Sequence, residues 1–152
     1  MGIYQLGNKA LTQIGYIFSD NYIMASNLPL HLCGLSGILA GIVVFYRKQI
    51  LFEFLYFFGL VGFIHSVLTP EFTGGVSSWK IFDYYVGHSM LIIIPVWLMK
   101  YYEFRLRHNA WWTSFIYLQL IVVLVSQANS IIGNGANYCL LYTSPSPRDP
   151  NR

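Results

Sequence analysis

An all-α, polytopic transmembrane helix bundle is the fold class this sequence predicts, and three observations predict it. Hydrophobic residues make up 55% of the chain and aromatic residues 18%, against 10% charged. The mean hydropathy is +0.50, well above that of a soluble domain. The charges fall between long apolar runs rather than inside them. With 152 residues and roughly 20 apolar residues per span, there is room for four or five helices and short loops but not for a separate soluble catalytic domain. Any activity must therefore sit among the helices. The formal charge of +3 is small and scattered, which sets nucleic-acid binding aside. Cys33 and Cys139 are too few for a disulfide framework or a CxxC metal site.

Residues 1–27 read as an amphipathic pre-helix or truncated span. Leu11, Ile14, Ile17 and Phe18 recur at helical spacing between Lys9 and Asp20. The segment lacks the basic start, compact apolar centre and small-residue cleavage site of a signal peptide. The transmembrane domain is expected over 28–138, with spans at about 28–46, 50–70, 81–99 and 111–133. Leu28–Tyr46 is uncharged and, at ~1.5 Å per residue, crosses most of a ~30 Å hydrocarbon core. Arg47 and Lys48 form a tight polar turn before the second span, whose formal charge, Glu53, lies within a turn of the membrane boundary. Gly74, Gly75, Ser77 and Ser78 mark a loop. The third span carries Pro95, which should bend it. After a hydrophilic link, the fourth opens with Trp111 and Trp112, an interfacial pair.

Loops at 47–49 and 100–110 hold Arg47, Lys48, Lys100, Arg105 and Arg107 against Glu103, so the positive-inside tendency makes them cytoplasmic. The opposite face holds Lys9 and Lys80 against Asp20, Glu71 and Asp83. Residues 139–152, CLLYTSPSPRDPNR, break from the preceding pattern. They read as a translated sequencing-adapter tail, with a disordered Ser/Pro tail as the alternative, and are set apart from the fold.

Polar groups inside a span are costly and need a reason. Cys33, His65 and His88 each lie between one and two turns inside the outer end of their spans. Tyr85, Gln127 and Asn129 fall in the same outer half. Three or four helices can therefore deliver side chains to one depth, although depth alone does not fix the direction in which each points. Cys33 shares a face with Gly37 and Gly41, a small-residue stripe suited to close helix approach. His31, about 200° around the helix, turns to headgroups or water. Each residue also has a purely structural reading. A free thiol packs like a small hydrophobe, Tyr84 and Tyr85 can satisfy His88, and Thr69 or Ser66 can satisfy His65. His108 reads as solvated, and Asp83 caps the third span or orients a histidine.

Signatures such as GxSxG, HExxH, a Walker loop and His-x4-Asp are missing from the sequence. The stretch NLPLHLCGLSGIL, residues 27–39, resembles the LPLxLC signature of the YwaF-like integral membrane proteins of bacteria. Their eukaryotic relatives, the transmembrane protein 164 group, are associated with acyl transfer onto ether-linked phospholipids. Matching positions follow in order at Glu53, Tyr56, Gly59, Leu68-Thr69-Pro70, Phe82, His88, Asn129 and Gly135-Ala136-Asn137-Tyr138. The resemblance places the family's candidate cysteine on Cys33 and its candidate histidine on His88. It gives His65 no family role, and it implies a bacterial plasma-membrane protein of six or so spans, of which this chain is an internal fragment.

Two functional readings stand. In the first, the chain is a cysteine-dependent acyltransferase acting on phospholipid acyl chains at the outer leaflet. Cys33 and His88 are then catalytic, with Tyr85, Gln127, Asn129, His31 and His65 as substrate-binding or supporting residues. In the second, the same polar ring lines the cavity of a small non-enzymatic transporter, sensor or accessory subunit. A pairing of His65 with His88 around haem or metal ranks behind both, and no metal or cofactor is assigned. The expected partners are membrane lipids, a second copy of the chain, or neighbouring helices outside this fragment.

Overall fold

Pro29 decides where the first apolar run becomes helix. A residue before proline is pushed out of the α region, and Leu28 is extended at φ −71°, ψ 144°. His31 is still extended at φ −68°, ψ 149°. In the computed structural model, which describes residues 1–18, 22–70, 77–133 and 135–140, helix therefore begins only at Leu32. Asp20, Glu71, the Gly74-Gly75 pair and residues 141–152 lie outside the described residues.

The described residues form α1 (Gly2–Phe18), α2 (Met24–Asn27), α3 (Leu32–Phe45), α4 (Gln49–Leu68), α5 (Ser78–Tyr101) and α6 (Ala110–Ile132), followed by a 3-10 turn at Tyr138–Leu140. No strand occurs among them. The expected all-α class holds, with one correction to the span inventory. Helices α4, α5 and α6 are long and apolar enough to cross a membrane, but α3 is a shorter apolar helix of 14 residues. At ~1.5 Å per residue it is about 21 Å long, because the extended Leu28–His31 segment takes up the start of the expected 28–46 run. The third span starts earlier than expected, at Ser78, since the Ser77 hydroxyl accepts from the Lys80 amide and caps the helix there. Asp83 is not the cap.

Helix α1 packs antiparallel along α3. Gly2 lies beside Val44, Phe45 and Gly41, Leu6 covers Gly41, and Lys9 crosses Gly37. The Gly37/Gly41 stripe thus receives a neighbouring helix, and that helix is the segment expected to be a pre-helix. Between α3, α4 and α5, a core of Ala40, Val43, Phe52, Leu55, Leu91, Ile94 and Leu98 is almost fully withdrawn from the surface. Proline at 95 has no N–H to offer the Leu91 carbonyl, yet α5 continues helical to Tyr101. That carbonyl instead faces Gly59 of α4, where an added Cβ would stand 2.7 Å from the oxygen. Only glycine permits so close an approach.

A second cluster joins Val125 of α6 to Ala136, Tyr138, Leu28 and Leu30. Outside these contacts, Leu120, Val123, Leu124 and Ile131 of α6 are exposed. An apolar outer face belongs against lipid rather than water.

Candidate functional site

The polar residues sort into three groups, a charged clamp at one end of the bundle, a cluster around Cys33 and an anchor around Tyr138, and a separate groove is apolar. At the end bearing loops 47–49 and 100–110, Glu53 is fully buried on α4. It accepts hydrogen bonds from Arg107 Nη2 at 2.7 Å, Arg107 Nε at 2.9 Å, the Arg107 amide at 3.1 Å and Gln49 at 2.7 Å. Gln49 also donates to the Arg105 carbonyl at 2.6 Å. The carboxylate hydrogen-bonded to Arg107 holds that guanidinium's pKa above its ordinary value. Every strong acceptor here has a donor, so the cluster reads as a clamp between two loops.

The second group gathers where α1, α3, α4 and α5 meet. Cys33, in the first turn of α3, is half-buried. Its Sγ lies 3.3 Å from where a Cβ on Gly62 would stand, beside Leu91 Cδ1 at 3.5 Å from the same point. The thiol therefore faces the α4–α5 seam. His88 lies one turn from Leu91 on the same face of α5, and His65 one turn from Gly62 on the same face of α4. His88 and His65 interact electrostatically. The His88 ring packs on Tyr84 with centroids 4.3 Å apart, and its Nδ1 is 2.7 Å from the Tyr84 carbonyl. A carbonyl can only accept, so Nδ1 carries the proton and Nε2 keeps the lone pair of a neutral imidazole. That is the tautomer required of a base whose ring is held by its own helix.

Lys9 of α1 completes this group, and sequence reasoning missed it. Its Cε lies 2.9 Å, and its Nζ 3.8 Å, from the position of a Cβ on Gly37. Any other residue at 37 would collide with the lysine stem. The ammonium interacts electrostatically with Cys33, Asp83 and His88. Asp83 is already engaged, accepting from the Tyr4 hydroxyl at 2.7 Å and from Asn8 at 2.9 Å and 3.0 Å. Among the described residues Lys9 has no hydrogen bond and no ion pair within 4 Å. Ser36, one turn along α3 from Cys33 on the same face, is fully buried, and its hydroxyl is without a partner. A lysine in the first segment reads in sequence as a solvated charge, and a serine among glycines as a packing residue. Only the seating of α1 on α3 distinguishes them.

The remaining predicted residues lie elsewhere or are already engaged. His65 is exposed, with the Thr69 hydroxyl 3.3 Å from its ring nitrogens. Tyr85 is exposed and meets Tyr84 edge-on at 5.4 Å. Gln127 is exposed on α6. Asn129 is buried, but its Nδ2 donates to the Tyr138 carbonyl at 3.1 Å and its Oδ1 accepts from the Tyr138 amide at 2.9 Å. Burial pushes the Tyr138 phenol above its ordinary pKa, so it stays protonated and donates to the Met24 carbonyl at 2.6 Å while accepting from the Leu28 amide at 2.9 Å. His31 meets the Tyr138 ring edge-on at 5.1 Å, and its Nδ1 accepts from the Cys139 amide at 3.4 Å. Asn129, Tyr138 and His31 thus anchor the chain after α6 against the segment before α3. They form a unit distinct from the Cys33 cluster.

An open apolar groove of about 510 Å3 runs between α3, α4 and α6, with Ile38, Ile42, Phe54, Ile121 and Leu124 among its walls. Its α3 walls lie on the face opposite Cys33. Among the described residues, no group of three or more His, Cys, Asp or Glu side chains could hold a metal ion.

Comparison with known proteins yields one family. The family model described as the TMEM164 family matches residues 1–151. No curated protein matches the chain, and no solved structure does.

Proposed function

We propose that this chain, which belongs to the TMEM164 family, is an integral membrane acyltransferase whose nucleophile is Cys33 and whose base is His88. The observation that carries the reading is the Cys33 cluster itself. A thiol facing the α4–α5 seam, an imidazole on α5 one turn from that seam with its Nδ1 held by the Tyr84 carbonyl, and the ammonium of Lys9 lying across Gly37 all come from elements packed together here. Composition alone would leave Cys33 as a packing residue. The company it keeps argues for chemistry, as does the acyl transfer that the family resemblance implies.

In this mechanism the Cys33 thiol gives its proton to His88 Nε2, and the sulfur attacks the ester carbonyl carbon of a phospholipid. The oxyanion collapses, the C–O bond to the glycerol oxygen breaks, and His88 returns the proton to that oxygen. A lysolipid hydroxyl then gives its proton to His88 and opens the thioester, transferring the acyl group and freeing Cys33. A thiol in hydrocarbon carries little thiolate without such help. Donor and acceptor reach the cluster sideways from the leaflet at the end away from loops 47–49 and 100–110, which the charge bias makes the outer leaflet.

The test is to supply phospholipid with a labelled acyl chain and look for a hydroxylamine-sensitive adduct on Cys33. Label on the wild type that disappears in both Cys33→Ser and His88→Ala supports the mechanism, since passive lipidation of a cysteine does not need the histidine. Folded, inserted proteins that all remain unlabelled would favour the non-enzymatic reading, a small transporter, sensor or accessory subunit whose cavity these polar residues line.

A further inference from the structure

Lys9 belongs to no helix on which the family resemblance places a site residue, yet it is the cation nearest the candidate chemistry. Its stem lies across Gly37, one turn from Cys33 on the same face of α3. Placing an ammonium between two helices of a membrane bundle is expensive unless a negative charge meets it. The carboxylate that acts on it, Asp83, does so from beyond ion-pair distance and is hydrogen-bonded by Tyr4 and Asn8 instead. A second donor points to the same need: the buried Ser36 hydroxyl, next to Gly37, is also without an acceptor. The cluster therefore holds an ammonium with no anion at ion-pair distance and a hydroxyl with no partner, beside a thiol that can become an anion.

We propose that Lys9 is the charge partner of Cys33, holding the sulfur as thiolate once its proton has left and steadying the negative charge that returns to it when the thioester opens. This deepens the acyl-transfer reading and rests on it, but Lys9 acts on the thiol whether or not a lipid is turned over. Lys9 is accordingly a positioning residue for the charge on Cys33. The other titratable groups on the elements packed around this thiol are Asp83 and His88 of α5, His65 of α4, Tyr4 of α1, His31 at the start of α3, and Cys139 of the 3-10 turn, which interacts electrostatically with Cys33. All stay constant when position 9 alone is changed, with Cys139 replaced in parent and variants alike.

The experiment follows the rate of Cys33 alkylation by N-ethylmaleimide as a function of pH. It uses the whole chain in lipid nanodiscs, with Cys139→Ser leaving one thiol. In Lys9→Met the midpoint should move up by about one pH unit, with alkylation near neutral pH about tenfold slower, since one unit is a tenfold change in thiolate fraction. Lys9→Arg should keep the midpoint near that of the parent. Lys9→Gln, which keeps a polar end on the stem, is a second neutral variant, and whichever neutral variant inserts decides the matter. A neutral variant whose profile overlays the parent overturns the proposal, as does one in which Lys9→Arg shifts as far as Lys9→Met. Because this readout involves no acyl transfer, its failure is separate from failure of the labelled-adduct experiment.

Discussion

The Glu53–Arg107 clamp and the Cys33–His88–Lys9 cluster are both charged groups inside an apolar bundle, but they obey opposite rules. Glu53 is fully buried and receives four hydrogen bonds, two of them from the Arg107 guanidinium. Among the described residues Lys9 makes no hydrogen bond and no ion pair within 4 Å, and the Ser36 hydroxyl has no hydrogen-bond partner. A satisfied buried charge costs little further and fixes geometry, whereas an unsatisfied one is a standing cost retained for some other purpose. The contrast separates a group whose bonds are all made from one whose donors are left open, which is where the proposed chemistry would draw on them.

The comparison breaks most visibly if the two groups fail to separate in activity. His88→Ala should lower acyl transfer by about 10²–10⁴-fold, while Arg107→Met should leave the rate per folded molecule close to the parent. Both are read in one transfer assay normalised to inserted protein. In stability the order reverses. Arg107→Met strips the two guanidinium hydrogen bonds and the positive charge from a buried carboxylate and should lower the thermal midpoint by more than any single change among Cys33, His88 and Lys9.

The Asn129–Tyr138 unit sharpens the same point on neutral groups. Asn129→Ala leaves the buried amide and carbonyl of Tyr138 unpaired and should cost about 1–3 kcal/mol, measured by denaturant titration in detergent. The smallest effect should be that of Lys9→Met on stability. Removing a cation that has no hydrogen bond and no anion at ion-pair distance should leave the thermal midpoint unchanged or raise it slightly. A large fall would mean that Lys9 is a packing strut.

The helices were readable because apolar runs longer than a membrane core have few other uses, and 50–70, 81–99 and 111–133 correspond closely to α4, α5 and α6. The first run was overextended because its composition stays apolar through Leu28–His31 while Pro29 keeps the backbone out of helix. Depth along a span was also legible, and it singled out Cys33, His65 and His88. Direction was not. Asn129 shares the depth of the thiol, yet its amide is spent on Tyr138, and Gln127 points away from the bundle. Lys9 and Ser36 were invisible for a different reason. Their meaning depends on α1 lying across Gly37, a tertiary contact that no local pattern announces.

The central claim, that Cys33 and His88 work as one chemical unit, is tested most directly by a double-mutant cycle on acyl transfer. Cys33→Ser, His88→Ala and the double variant are assayed together as inserted, folded protein. Residues acting in one step are non-additive, so the double variant should be no slower than the slower single variant. Losses that multiply, or a His88→Ala protein that transfers at the parental rate, would contradict it.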